Sequence, residues 1–335
     1  MAFLSKPVFQ SSSNPRSTAA FAAAEGAAQV VVITGASSGI GHATALAFAR
    51  RGARLVLAAR NADTLAPVAM ACRDAGAAAA LGVPTDVTDA DAVARLADTA
   101  LRHYGRIDVW VNGVGVGAVG RFDQTPLAAH RRVVESNLIG HLHGAHAALR
   151  HFRERGRGTL INMISAGGWV PSPYAAAYTA SKFGLRGLSE ALRAEVSGLP
   201  DVHVCDLAPT FVDSPGLSHG ANYTGRNLQP RIPLLDPIRV ANAVVALADR
   251  PRAVTFMGAG AAPGALGDRA CAAQRKAGAR ERRQPLRALT RNQHRRRPAP
   301  RAAPQRGRGG CAGRGRPGHR GVGCAPPFLT NRSFL

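Results

Sequence analysis

The chain has 335 residues, 46% of them apolar, enough for one large α/β core or two smaller ones. A formal charge of +23 would point to nucleic acid or an anionic surface if it were evenly spread, but residues 258–335 hold 18 of the 43 Lys and Arg and 2 of the 20 Asp and Glu. The five cysteines (Cys72, Cys205, Cys271, Cys311 and Cys324) show neither a C-x-x-C nor a regular spacing, so neither a zinc site nor a disulfide framework is indicated and a reduced, cytoplasmic protein is expected.

No stretch is long and charge-free enough for a membrane span, and residues 1–28 lack the basic start and apolar run of a secretory signal. Rich in Ser and Ala, these residues read as a disordered leader, with a transit peptide as the alternative.

Val30–Thr34 is a β-branched run without polar alternation, the pattern of a strand buried on both faces of a parallel sheet. It leads into Gly35-Ala36-Ser37-Ser38-Gly39-Ile40-Gly41, after which 43–51 reads as a helix. Strand, glycine turn and helix together aim free backbone N–H groups and a helix dipole at a diphosphate. Gly35 permits the tight turn, while Gly39 and Gly41 let the backbone approach a ligand. Ser37, Ser38 and Ile40 fill out the cradle.

A second strand, 55–59, ends at Arg60, where a dinucleotide's adenosine ribose arrives. An acid there would grip a free 2′-hydroxyl. Arg60 suits a 2′-phosphate instead, so NADP(H) is expected over NAD(H).

Asp63 is expected to cap a helix running to about 75, and a third strand near 79–83 leads to Asp86 and Val87. Asp89 caps a helix ending near 104. The fourth strand, 108–111, is followed by Asn112-Gly113-Val114-Gly115, and a long helix beginning near 126 carries Asn137. The fifth strand, 158–165, delivers Ser165 at its carboxyl end. Tyr178 and Lys182 then stand four residues apart on a helix and share one face. A sixth strand (202–207), a helix (236–248) and a last strand (253–257) complete the pattern. Strands alternating with helices at this spacing predict a Rossmann-like, doubly wound parallel sheet in a single domain, 29–257.

These motifs resemble the short-chain dehydrogenase/reductase family over residues 30 to about 257. The segment 34–41 resembles its cofactor turn, Asp86 with Val87 its adenine contact, and Asn112-Gly113-Val114-Gly115 its Asn-Asn-Ala-Gly element with Gly113 and Val114 substituted. Asn137, Ser165, Tyr178 and Lys182 match its catalytic tetrad, Ser165 lying thirteen residues before Tyr178. The segment 209–214 resembles Pro-Gly-x-Val-x-Thr, with Thr210 in place of the glycine. Pro209, Val212 and Ser214 would then meet the nicotinamide, Val212 through its backbone.

The resemblance implies an NAD(P)-dependent oxidoreductase that interconverts a carbonyl and a secondary alcohol. Tyr178 would be the acid/base, and Lys182 would lower its pKa and hold the nicotinamide ribose. Ser165 would orient the substrate oxygen, and Asn137 would hold a relay water. A free tyrosine titrates near 10, so work near neutrality needs a fall of roughly 2 to 3 pH units. A homodimer or homotetramer is implied as well. The alternative for this domain is a catalytically silent dinucleotide-binding regulator.

His141, His143 and His146 invite a metal reading, but no carboxylate or cysteine completes a set, and surface or interface positions are expected. Irregular sequence at 214–233 reads as a lid. Its apolar members Leu217, Tyr223 and Leu228, with Phe211, Trp169 and Val170, suggest a fairly apolar substrate. Beyond 258, Arg, Gly, Pro and Ala dominate and apolar periodicity is lost, so a disordered tail is expected. It reads as a solvated tail without specific role or as the product of a shifted reading frame, ahead of a nucleic-acid-binding arm.

Overall fold

A computed structural model describes residues 28–218, 220–225 and 233–258. The expected leader, the basic tail and Leu228 of the expected lid lie outside the described residues.

In chain order the elements are β1 (Val30–Thr34), α1 (Gly39–Ala49), β2 (Arg54–Ala59), α2 (Ala62–Asp74), β3 (Ala79–Pro84), α3 (Ala90–Tyr104), β4 (Val109–Asn112) and β5 (Ala118–Val119). There follow α4 (Leu127–Val134), a π-helical turn (Glu135–Ile139), α5 (Gly140–Arg155), β6 (Arg157–Met163), α6 (Ala176–Glu195) and β7 (Asp201–Pro209). The short α7 (Pro215–Ser218) and β8 (Ala221–Asn222), then α8 (Pro237–Asp249) and β9 (Val254–Met257), complete the description. Seven strands form one parallel sheet in the order β3-β2-β1-β4-β6-β7-β9. The chain moves outward from β1 to β3 and returns to β4 on the other side of β1, so the order reverses between β1 and β4. Open α/β sheets bind ligands outside the carboxyl ends of the strands at such a reversal.

Every residue of β1 is buried, as its unbroken apolar run requires. Successive side chains face opposite sides. Val31 and Ile33 join Phe48, Leu55, Val240 and Val244 on the α1/α8 side, while Val32 joins Val56, Leu96, Trp110 and Phe152 on the α3/α5 side. Each such side chain contributes on the order of 2 kcal/mol of burial.

Four local features differ from the sequence expectations. The first helix begins at Gly39, inside the glycine turn rather than after it. Asn61, not Asp63, caps α2: its Oδ1 accepts from the Asp63 N–H at 2.8 Å, and Asp63 sits in the first turn, where a negative charge suits the helix dipole. Asp89 does cap α3, accepting from the N–H groups of Asp91 and Ala92. The long helix expected from 126 is interrupted by the π-helical turn, which carries Asn137. Last, His141 is buried at 1% exposure, His143 is half-buried and His146 alone is exposed, because the face of α5 bearing His141 packs on the sheet.

β5 and β8 pair as a two-residue parallel ladder, joining the segment after β4 to the part of the expected lid that is described. β9 pairs with β7 over four residues, from Asp206↔Val254 to Pro209↔Met257.

Candidate active site

The glycine turn expected to cradle a diphosphate lies at the carboxyl end of β1. Ser38 precedes α1 with extended backbone, and its side chain makes no capping bond. The first N–H groups of the helix therefore face outward without a side-chain acceptor. Gly41 is required by close approach: a Cβ there would stand 2.1 Å from the Gly35 carbonyl oxygen. Ser37 is half-buried and Ser38 exposed, Ile40 packs against the core, and Gly39 lies against Ser214, so the turn and the segment after β7 meet. The substituted Gly113 is explained here. A Cβ on it would come within 2.6 Å of the Thr34 carbonyl oxygen, and its N–H donates to Thr34 Oγ1 at 3.1 Å.

After β2, Arg60 is exposed and lies in the field of Asp86. Burial works to raise the Asp86 pKa, but donation from the Thr88 N–H (2.9 Å) and hydroxyl (2.8 Å), with the charges of Arg132 and Arg60, outweighs it and holds the carboxyl below its usual range. Arg132 stands 3.7 Å from Asp86. Val87 is buried, and its carbonyl accepts from His143 Nδ1 at 2.9 Å.

Asn112 is buried with its side chain engaged inside the protein. Its amide donates to the His141 carbonyl and to Asn162 Oδ1, both at 3.0 Å, and its Oδ1 accepts from Trp110 Nε1 at 2.9 Å. A cofactor contact by Asn112 is thus left to its backbone. Gly115 lies exposed beyond it. Asn112 pairs in register with Asn162, and Asn162 with Asp206, so a polar row crosses β4, β6 and β7 beneath the site. Asn162 continues the row to Ser189 Oγ at 3.0 Å.

Three of the four residues proposed for chemistry meet where β6 ends. Ser165 Oγ accepts from the Gly167 N–H at 3.1 Å, which leaves its proton to turn toward the Tyr178 phenol, where it favours the phenolate. The edge of the Tyr178 ring lies against Gly167. Lys182 is 2% exposed, and its Nζ stands 5.9 Å from the centre of the Tyr178 ring. Nζ donates to the Met163 carbonyl at 2.8 Å. Asn137, on the π-helical turn, donates to the Val116 carbonyl (2.9 Å) and to Ser181 Oγ (3.3 Å) and accepts from the Val116 N–H (2.8 Å). It is joined to the other three through Ser181, the neighbour of Lys182.

The electrostatics depart from a simple ammonium–phenolate pair. Burial depresses Lys182 to about 7. Tyr178 is half-buried; burial of its phenol raises its pKa, and the influence opposing this is the Ser165 hydroxyl. The lowering of Tyr178 expected from the sequence is therefore absent in the protein alone.

Beyond β7, Pro209 is buried, and Val212 forms an isolated parallel bridge with Leu235. Leu235 N–H donates to Phe211, and Asp213 N–H donates to Leu235. This geometry turns the N–H and carbonyl of Val212 away from Leu235. Trp169 packs edge-on against Phe256, ring centres 4.7 Å apart, with the Arg186 guanidinium 5.1 Å over its ring, so it anchors β9 as well as bordering the site. Phe211 and Tyr223 are exposed. The side chain of Leu217 lies outside the description.

Sequence reasoning missed Arg132, Ser181, Val116 and the Met163 carbonyl. Ser181 was visible as the residue before Lys182, whereas backbone acceptors leave no mark in a sequence. Among the described residues no group of three or more His, Cys, Asp or Glu could hold a metal, and no helix is long and apolar enough to cross a membrane.

Fold and site together define a Rossmann-like NAD(P)-binding α/β protein with a Ser-Tyr-Lys cluster at the carboxyl edge of its sheet. The family model for short chain dehydrogenases matches residues 29–222, and the chain belongs to that family. It is 41% identical over 231 residues to cis-4-hydroxycyclohexanecarboxylate dehydrogenase of Sinomonas cyclohexanicum, covering 66% of this chain and 90% of that one. It is 34% identical over 221 residues to 11-beta-hydroxysteroid dehydrogenase 1A of Arabidopsis thaliana, covering 64% of this chain and 62% of the relative. An alcohol dehydrogenase structure from Thermococcus sibiricus, complexed with 5-hydroxy-NADP, aligns with a TM-score of 0.60 at 28% identity, covering 69% of this chain and 96% of that one. The chain spans less than two thirds of the length of several curated relatives it matches.

Proposed function

We propose that the protein is an NADP(H)-dependent oxidoreductase interconverting a carbonyl and a secondary alcohol. The observation that carries this reading is the meeting of the Tyr178 phenol, the Ser165 hydroxyl and the buried Lys182 amine at the same carboxyl edge of the sheet as a glycine turn suited to a diphosphate. The bound dinucleotide supplies or takes the hydride; the chain's own residues handle the proton and the geometry.

In the reducing direction the substrate oxygen accepts hydrogen bonds from Ser165 and Tyr178, which places its carbon for attack. As the alcohol forms, the phenol proton passes to the oxygen and Tyr178 becomes phenolate. A full charge on Lys182, whose Nζ stands 5.9 Å from the ring centre, favours that phenolate by on the order of 3 kcal/mol at an effective dielectric of about 20, close to 2 pH units. Ser165 adds to this. Since burial holds Lys182 near neutrality, its charge acts on Tyr178 only when the amine keeps its proton, and ribose hydroxyls accepting from its two remaining N–H groups would help it do so. Asn137 retains one lone pair on Oδ1 for a relay water, since its other positions are bound to Val116 and Ser181.

Arg60 supports the 2′-phosphate reading, and its charge is shared with Asp86. Gly35, Ser37, Ser38, Gly39, Ile40 and Gly41 would hold the diphosphate, Asp86 and Val87 the adenine side, and Val212 and Ser214 the carboxamide. Exposed Phe211 and Tyr223, with relatives named for a hydroxycyclohexane acid and a hydroxysteroid, favour a cyclic secondary alcohol or its ketone. Exposed Ile139, Leu142 and Phe183 support self-association through α5 and α6, and the free thiols of Cys72 and Cys205 suit a reduced compartment. A panel of cyclic ketones with NADPH tests the reading: loss of reduced-nicotinamide absorbance is expected, and no turnover of any carbonyl or alcohol with either dinucleotide favours the silent regulator.

A further inference from the structure

His141 is a buried titratable group that the mechanism above does not use. It opens α5 one turn after Asn137, on the same face of the helix, and is 1% exposed. Its position is fixed from two sides. Its backbone carbonyl accepts from Asn112 Nδ2 at 3.0 Å, and the backbones of Asn112 and Ser136 favour a proton on its ring. Its Nε2 nonetheless has no hydrogen-bond partner. An imidazole nitrogen buried without a partner is expensive, and such groups are normally satisfied by protein or by an ordered water.

The charge acting on this ring is that of Lys182, from the adjacent α6. The two helices are close here: Asn137 donates to Ser181, and a Cβ on Gly184 would meet Leu138 at 2.9 Å. Other ionisable groups nearby are turned elsewhere. Glu135 accepts from Arg131 at 2.6 Å, His143 donates to the Val87 carbonyl, and His146 is exposed. Asn112, Trp110 and Asn162, from the strands beneath, are neutral. Lys182 uses one of its three N–H groups on Met163.

We propose that His141 is a positioning residue for Lys182: neutral, with Nε2 as its acceptor, it takes through one bridging water a hydrogen bond from the lysine ammonium and so helps the buried lysine keep its proton. A bridge is needed because Nε2 makes no direct bond. The bridge extends the proton path from Lys182 toward the π-helical turn that carries Asn137. Burial keeps the ring uncharged, as an acceptor requires, since desolvation and the Lys182 charge hold its pKa well below the ordinary histidine value. The inference deepens the proposed function, resting on Lys182 as the partner of Tyr178.

The chain has three lysines, Lys6, Lys182 and Lys276, so Lys182 can be followed by itself. The full chain labelled with 13C at lysine Cε is titrated by NMR, with Lys182→Met to assign the resonance. In the parent, Lys182 titrates about 7. His141→Leu fills the same space without an acceptor and is expected to move the Lys182 midpoint down by about half a pH unit or more. His141→Gln, whose amide reaches about as far as Nε2, restores it. An unmoved midpoint in folded His141→Leu overturns the proposal; should that variant fail to fold, His141→Asn, too short to reach the bridge, takes its place with the same expected fall and the same overturning result. A histidine with only a packing role would change stability and leave the titration alone. The readout needs no substrate. A moved midpoint in a chain that turns over nothing removes the enzyme reading and keeps this one, and an unmoved midpoint in an active enzyme does the reverse.

Discussion

Lys182 Nζ donates to the Met163 carbonyl at 2.8 Å, so the amine on α6 is tied to the last residue of the strand that leads to Ser165. The bond fixes a buried amine at the sheet's carboxyl edge and, when it is protonated, leaves two N–H groups for other partners.

This burial has a pH signature. Lys182 titrates about 7 in the folded chain and near 10.4 unfolded, so between those values the unfolded state binds more protons and stability rises with pH. Below 7 the penalty is fully present. Lys182→Met is expected to be more stable than the parent near pH 7, by on the order of 2 kcal/mol, with the gap closing toward pH 10. Urea unfolding at a series of pH values checks this; a gap that does not change with pH contradicts it.

Asp206 gives the opposite slope. It is fully buried, and although Ser189 and Arg193 (3.0 Å) favour its charge, burial raises its pKa to about 6. The folded state then binds more protons between about 4 and 6, and stability falls as pH rises through that window. Asp206→Asn is expected to match the parent near pH 4 and to exceed it by on the order of 2 kcal/mol above pH 7. Arg193 keeps the Val204 and Ala253 carbonyls as acceptors, so it is not orphaned by the change.

Gly113 has no room for a methyl group. Gly113→Ala would set a Cβ 2.6 Å from the Thr34 oxygen, against strand backbone that cannot yield easily. A loss of about 1–3 kcal/mol is expected in chemical denaturation, with weaker dinucleotide binding because β1 and the glycine turn are displaced together.

Arg60 decides between dinucleotides in this account. Arg60→Asp is expected to raise the KM for NADPH about tenfold or more, about 1.4 kcal/mol or more of binding, while leaving that for NADH equal or lower. Equal effects on both would remove Arg60 from 2′-phosphate recognition.

Much of this arrangement was legible in the chain because it depends on local signals. The apolar run of β1, the glycines after it and the four-residue step from Tyr178 to Lys182 each name their own structure. Other features depend on what the fold brings near. Asn61 displaced Asp63 as the cap because its backbone is extended immediately before the helix. The burial of His141 follows from which face of α5 meets the sheet, and the π-helical turn that shifts this face has no residue signature. The hold on Lys182 comes from a carbonyl, which every residue has. Trp169 read as a substrate contact because it follows Ser165, but its partner Phe256 lies far along the sequence on β9.

The central claim, that Tyr178 is the acid/base of a hydride-transfer site, is tested most directly by Tyr178→Phe assayed beside the parent with NADPH and a cyclic ketone the parent reduces. Turnover is expected to fall by about a hundredfold or more, with dinucleotide binding unchanged by fluorescence titration. Turnover retained within a few-fold of the parent would contradict the account.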